Sequence, residues 1–234
     1  MRNEADPPQR RIAWERAYRT VPSRFPTIGP WDRIASPEDF EALAEIEALT
    51  NPRIREELGV LSLTPRERWL TGPGSTPVMA AFTHLQPGGS RFTDGTFGVF
   101  YAARELETSL RENVHHRARF LAATREPPTQ LQMRAYRTRI ACRVHDVRGG
   151  WPRIHDPDDY SASQKLAVRL RAANSNGIAY DSVRNAGGQC VAIFWPDRVG
   201  PCTQAAHFAF HWDGERITDV IELKAVRLPS PVRS

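Results

Sequence analysis

The chain has 234 residues, 40% of them apolar, and a formal charge of +5 at pH 7. This length and apolar content suffice for a real core, in one large domain or one domain with an extension, and exclude a disordered chain. Nothing approaches the roughly 18 consecutive apolar residues of a membrane span, and MRNEADPPQRR at the start lacks the apolar run of a secretion signal, so a cytoplasmic protein with no membrane partner is expected.

Residues 1–11 read as a flexible tail, and residues 12–35, rich in proline and aromatic side chains, as an irregular segment on the surface. Ser36 and Pro37 open a helix in which Phe40, Leu43, Ile46 and Leu49 recur at helical spacing, and Asn51-Pro52 restarts the chain in a second helical turn. Thr64-Pro65-Arg66-Glu67 has the form of a capping box, which predicts a short helix to Leu70 before the Gly72-Pro73-Gly74 break. Residues 12–75 are thus expected to be a mostly helical extension packed on a core domain of residues 76–228.

In that core, the polar loop GGSRFTDGT leads into FGVFYAA, a buried strand expected to begin near Phe97. A helix follows directly, with Leu106, Leu110, Val114, Ala118 and Leu121 as its apolar stripe. Arg134 to Val144 alternates, Tyr136, Thr138, Ile140 and Cys142 on one face and Arg137, Arg139 and Arg143 on the other, as a half-exposed strand should. Ser161 or Ser163 caps a further helix running to about Ala173. Gly177–Ser182 and Gln189–Trp195 read as strands joined through a turn at Arg184–Gly188, and HFAFHW, Asp213-Gly214 and ERITDVIEL as a hairpin. The fold class is α+β, a mixed sheet core with a helical N-terminal extension.

The positive charge is almost wholly arginine, since Lys165 and Lys224 are the only lysines. Arginine grips phosphate or carboxylate with paired hydrogen bonds, so an anionic ligand fits this balance, as do nucleic acid and an acidic partner. Cys142, Cys190 and Cys202 lie far apart with no CxxC pair, which argues for reduced core residues rather than disulfides or structural zinc. His207 and His211 have ligand-like spacing but no apparent third ligand, and no metal is expected. Dinucleotide-fold, P-loop, hydrolase-elbow and zinc-protease signatures are all absent.

Three places remain where chemistry can sit. Glu112, His115, His116 and Arg119 cluster on the helix face opposite the leucine stripe, a face that is either solvated or lines a cleft. Arg91 stands in a Gly- and Ser-rich loop that lets a guanidinium approach phosphate, and Tyr101 at a strand end is either core or a ring for stacking. Ser182, followed by Arg184 and Asn185, stands where a strand gives way to a loop, as a turn former or a functional group.

Taken together and in order, GSRFTDGTFGVFYAA, LETSLREN with His115-His116, and GIAYDSVRNAGGQCVAIFWP resemble the signature blocks of the RES-domain toxin family. LTNPRIREELG and MAAFTH also resemble its longer members, so the likeness covers residues 14–225. The arginine, glutamate and serine for which the family is named fall on Arg91, Glu112 and Ser182, and Tyr101 and His116 match further polar positions of its pocket. Ser109-Leu110-Arg111 departs from the family in replacing a more apolar turn.

The resemblance implies a catalytic domain related to ADP-ribosyltransferase toxins and a toxin of a toxin–antitoxin pair that degrades NAD+ by phosphorolysis or hydrolysis. It implies Glu112, Arg91, Ser182 and His116 as catalytic residues, with Arg91, Tyr101, Ser182 and Arg184 holding the dinucleotide. NAD+ is the substrate and no further cofactor is implied. Inorganic phosphate is a possible co-substrate, for which Arg184 or Arg119 would supply the second anion site. An Xre-like antitoxin covering the active site, and a homodimer within the complex, are the expected partners. The rival readings are an ADP-ribosyltransferase acting on a cellular protein and a nucleic-acid-binding or nuclease toxin, the latter without a metal-binding carboxylate cluster.

Overall fold

The computed structural model describes residues 6–23, 59–224 and 226. Its longest strand, β3 (Thr129–Asp146), carries the alternation of its sequence directly into space: Tyr136, Thr138, Ile140, Cys142 and Val144 are buried while Arg137, Arg139 and Arg143 face outward. Strand β1 (Gln9–Pro22) runs antiparallel to β3, from the Gln9–His145 pair to Pro22–Met133. This corrects the expectation of a tail to residue 11 followed by an irregular segment. A bulge between Trp14 and Ala17 moves the buried positions from Ile12 and Trp14 to Ala17 and Thr20, so no single period-2 pattern spans the segment.

The helices expected near residues 36–49 and after Asn51 lie outside the described residues. The capping box at Thr64 does not form. Arg66–Arg68 is a single 3-10 turn without a side-chain cap, and the chain is already extended at Trp69, whose indole donates to the Thr64 carbonyl at 2.9 Å. A helix not read from the sequence, α1, covers Thr76–Thr83.

Beyond it, β2 is Phe100–Ala103, shorter than expected. At Gly98 the backbone of Ala81 and Phe82 in α1 occupies the space a Cβ would take, so this stretch packs under α1 instead of joining the ladder. Then come α2 (Leu106–Thr124), α3 (Ser161–Ala172), β4 (Gly177–Asp181), β5 (Gln189–Ile193), β6 (Thr203–Trp212) and β7 (Ile217–Leu223), close to where the sequence predicts them.

Among the described residues the strands form one mixed sheet of order β1-β2-β5-β4-β3-β6-β7, and β1 also pairs with β3. The pairings β1–β2, β2–β5, β5–β4, β4–β3 and β3–β1 therefore close into a ring. Its inside is filled by Ile12, Trp14, Phe100, Ile140, Val191 and Ile193 among others. The β6–β7 hairpin continues the sheet from the first half of β3. The stripe residues Leu106, Leu110 and Val114 of α2 pack half-buried on Met133, Ala135, Phe208 and Phe210 of β3 and β6. Alternation along β2, β4 and β5 turns Tyr101, Ala103, Tyr180 and Cys190 to the outer face of the ring, where Phe92, Ile154 and Leu166 cover them. The candidate site lies on that face.

Candidate functional site

The first turns of α2 carry buried polar residues, Thr108 and Ser109, where an ordinary amphipathic helix would bury leucine. Ser109 shares a 2.9 Å hydrogen bond with the buried Thr20 hydroxyl of β1, which explains how a serine replaces an apolar residue there. Thr108 and Glu112 are one helical turn apart and face the loop between β4 and β5. The Ser182 hydroxyl donates to Glu112 Oε1 at 2.5 Å. It also accepts the backbone N–H groups of Arg184 at 3.2 Å and Asn185 at 3.0 Å. A hydroxyl has one proton and two lone pairs, so every hydrogen-bonding valence of Ser182 is filled within the protein.

A second set of contacts fixes Arg91. The Tyr101 phenol hydrogen-bonds the Ser90 hydroxyl at 2.7 Å and accepts the Phe92 N–H at 2.9 Å, gripping the chain on both sides of Arg91. Arg91 Nη1 in turn donates to the carbonyls of Ile154 (2.9 Å) and Asp156 (2.8 Å), on both sides of His155, and its guanidinium lies 4.5 Å over the Tyr160 ring. His155 Nε2 accepts the N–H of Asp181, next to Ser182, at 3.1 Å. A continuous chain of contacts thus runs from Tyr101 through Arg91 and His155 to Ser182 and Glu112.

The same groups converge electrostatically on Tyr180. Burial first, and then the neighbouring Cys190, Glu112 and Tyr101, raise the pKa of its phenol well above the usual range, with Arg91 opposing. Burial likewise pushes Tyr101 up to about 12.

His116 Nε2 stands 4.0 Å from Glu112 Oε2. Partial burial, and then the charges of His115, Arg184, Arg117 and Arg119, lower its pKa to about 4. The ring is therefore neutral at pH 7, and its contact with Glu112 is not an ion pair. Its side chain keeps 48% of its surface open, against 20% for Glu112, so the histidine sits at the mouth and the carboxylate deeper. Arg184 donates to the Pro157 carbonyl at 2.6 Å and lowers the pKa of His115 as well, after burial. Arg119 is exposed on α2, where it too lowers both histidines.

The structure thus brings Arg91, Tyr101, Glu112, His116, Ser182 and Arg184 into one region. Sequence reasoning missed Tyr160, His155 and Tyr180, which are ordinary aromatic residues in the sequence, and the pairing of Thr108 with Asn185. Only the four-residue spacing of Thr108 and Glu112 could have signalled that last contact. His207 and His211 lie apart on β6, with His207 Nε2 2.7 Å from the Gln204 amide nitrogen. Among the described residues no three His, Cys, Asp or Glu side chains are grouped to share a metal ion, and no helix is long and apolar enough to cross a membrane.

The family model described as RES domain matches residues 65–213. A Sinorhizobium fredii protein described as uncharacterized protein y4oC is 32% identical over 204 residues, 86% of this chain and 84% of that one. A crystal structure of the M. tuberculosis MbcT–MbcA toxin–antitoxin complex contains a similar chain, with a TM-score of 0.46, 12% identity and 87% of each chain covered.

Proposed function

Because this chain belongs to the RES domain family, we propose that it is the toxin of a toxin–antitoxin pair and destroys NAD+ by breaking the nicotinamide–ribose bond. The observation that carries this reading is the Glu112 carboxylate, anchored through one oxygen by a hydroxyl whose single proton is committed to it, beneath a cationic mouth. Breaking the glycosidic bond sends its electron pair to the pyridinium nitrogen, which departs as neutral nicotinamide and leaves an oxocarbenium-like ribose. Glu112 would accept a hydrogen bond from a ribose hydroxyl and stabilise that charge, while Arg91, through the guanidinium edge not committed to Ile154 and Asp156, would hold the pyrophosphate. With its phenol engaged at Ser90 and Phe92, Tyr101 acts through its ring and through the Arg91 loop.

Among the nucleophiles, phosphate fits better than water. Phosphate is already anionic, and Arg184 and Arg119 beside His116 supply positive charge to attract it. The products would be nicotinamide and ADP-ribose 1″-phosphate. An Xre-like antitoxin covering this mouth, in a complex built on a toxin dimer, would keep such an enzyme silent in the cytoplasm.

The test is loss of NAD+ in a purified reaction with and without phosphate, beside labelled NAD+ incubated with cell lysate. Phosphate-dependent loss supports phosphorolysis, phosphate-independent loss moves the reading to hydrolysis, and a labelled protein band moves it to ADP-ribosyl transfer. NAD+ that stays intact in every arm overturns it.

A further inference from the structure

The Ser182–Gly188 loop touches α2 at a second place that the proposed chemistry does not use. Asn185 Nδ2 donates to the Thr108 hydroxyl at 2.8 Å. The main chain of the same residue makes two more bonds: its N–H donates to Ser182 Oγ at 3.0 Å, and its carbonyl accepts the Gly188 N–H at 2.9 Å. Asn185 therefore links the helix, the Ser182 hydroxyl and the closure of the loop.

Thr108 is fully buried, and the loop closes on it tightly. A Cβ at Gly188 would stand 2.6 Å from Thr108 Oγ1 and 2.8 Å from its methyl carbon, so no larger residue fits without displacing the contact. The Ser182 N–H donates to the Gly188 carbonyl at 2.8 Å, which ties the serine backbone to the same point.

These contacts decide where the serine proton points. With one lone pair taken by the Asn185 N–H and the other by the Arg184 N–H, the Ser182 proton is left for Glu112 alone. A shift of Asn185 would free a lone pair and let the hydroxyl rotate, and the carboxylate would lose its fixed partner. We propose that Asn185 and Thr108 are positioning residues that aim the Ser182 hydroxyl, and through it the Glu112 carboxylate, from one helical turn away. The consequence for catalysis rests on the NAD+ reading above, whereas the geometric part does not.

Two measurements separate them. In steady-state assays of the full chain on NAD+, Thr108→Val keeps the side-chain shape and removes the acceptor. Its kcat should fall roughly 10- to 100-fold, with KM changed by less than about threefold. Thr108→Ser restores an acceptor and should recover most of the loss. Asn185→Ala, at a half-buried surface position, is the second variant should Thr108→Val fold poorly, and the same fall is expected of it. An unchanged kcat, or a raised KM at unchanged kcat, would overturn the proposal.

The second readout needs no substrate: amide hydrogen exchange at Arg184 and Asn185, followed by NMR, should quicken about tenfold in Thr108→Val or Asn185→Ala. Exchange in β5 should not change, and Thr108→Ser should resemble the parent protein. Unaltered exchange at Arg184 and Asn185 would sink the positioning role even if the parent protein proved inert toward NAD+. An inert parent protein with quickened exchange would instead sink the NAD+ reading and leave the positioning geometry standing.

Discussion

Arg91 and Ser182 stand in loops of similar composition, polar and glycine-rich, yet their side chains are committed in different ways. Arg91 reaches out of its loop, donates to two carbonyls of a distant segment through one nitrogen and stacks on the Tyr160 ring, and it is only 7% exposed. Ser182 turns inward, and its hydroxyl is saturated by two amides and a carboxylate. Filled hydrogen-bonding capacity separates a group that can meet a ligand from one that can only aim another group. On that criterion the proposal gives Arg91 a ligand-binding part as well as a structural one, and Ser182 a part played through Glu112 rather than by contact with the dinucleotide.

The sharpest way to break this contrast is Ser182→Ala. If the serine only aims the carboxylate, kcat falls by about 100-fold while KM for NAD+ moves less than about threefold. A KM effect larger than the kcat effect would make it a ligand contact after all. Arg91→Ala should show the opposite split, with KM raised by about tenfold or more. Thermal or denaturant unfolding should also register a loss of about 1–3 kcal/mol, because the charged donor to Ile154 and Asp156 disappears. Unchanged stability would mean that the two carbonyls find other partners at no cost.

The smallest effect is the pH response of His116. Its folded pKa of about 4 lies below the ordinary 6.5, so the unfolded chain binds the proton first. Its contribution to stability is therefore constant above pH 6.5 and is lost as pH falls from 6.5 toward 4. In His116→Asn that part of the acid slope should vanish, by a modest amount because the side chain is 48% open to solvent. Melting curves across that range check it, and an identical slope in the two proteins would place the histidine in an unperturbed environment.

Much of the fold was legible from residue pattern because the pattern was regular. The alternation in β3 translates one residue at a time into structure, and the Asp213-Gly214 signal marks the turn of the last hairpin, beside a register shift at His211–Trp212. In β1 the bulge at Trp14–Ala17 breaks the phase, and the strand is held by its partner β3 more than by its own apolar content. At Thr64 the local capping signal was present, but the Thr64 carbonyl is taken by the Trp69 indole and the chain turns away. For the site, Arg91, Tyr101, Glu112, His116, Ser182 and Arg184 were all picked out from the sequence, as separate places by local pattern and as one site through likeness to a family. How they are held was not legible. Asn185 and Thr108 are 77 positions apart and meet only because α2 follows β2 while the loop follows β4 on the same side of the sheet.

The central claim, that Glu112 stabilises charge on the breaking ribose bond, is tested most directly by Glu112→Gln, with NAD+ binding by calorimetry and nicotinamide release measured on the same preparation. The account predicts affinity within about threefold of the parent protein and release slower by about 100-fold or more, the effect of removing one preorganised electrostatic group. Release at the parental rate would contradict it.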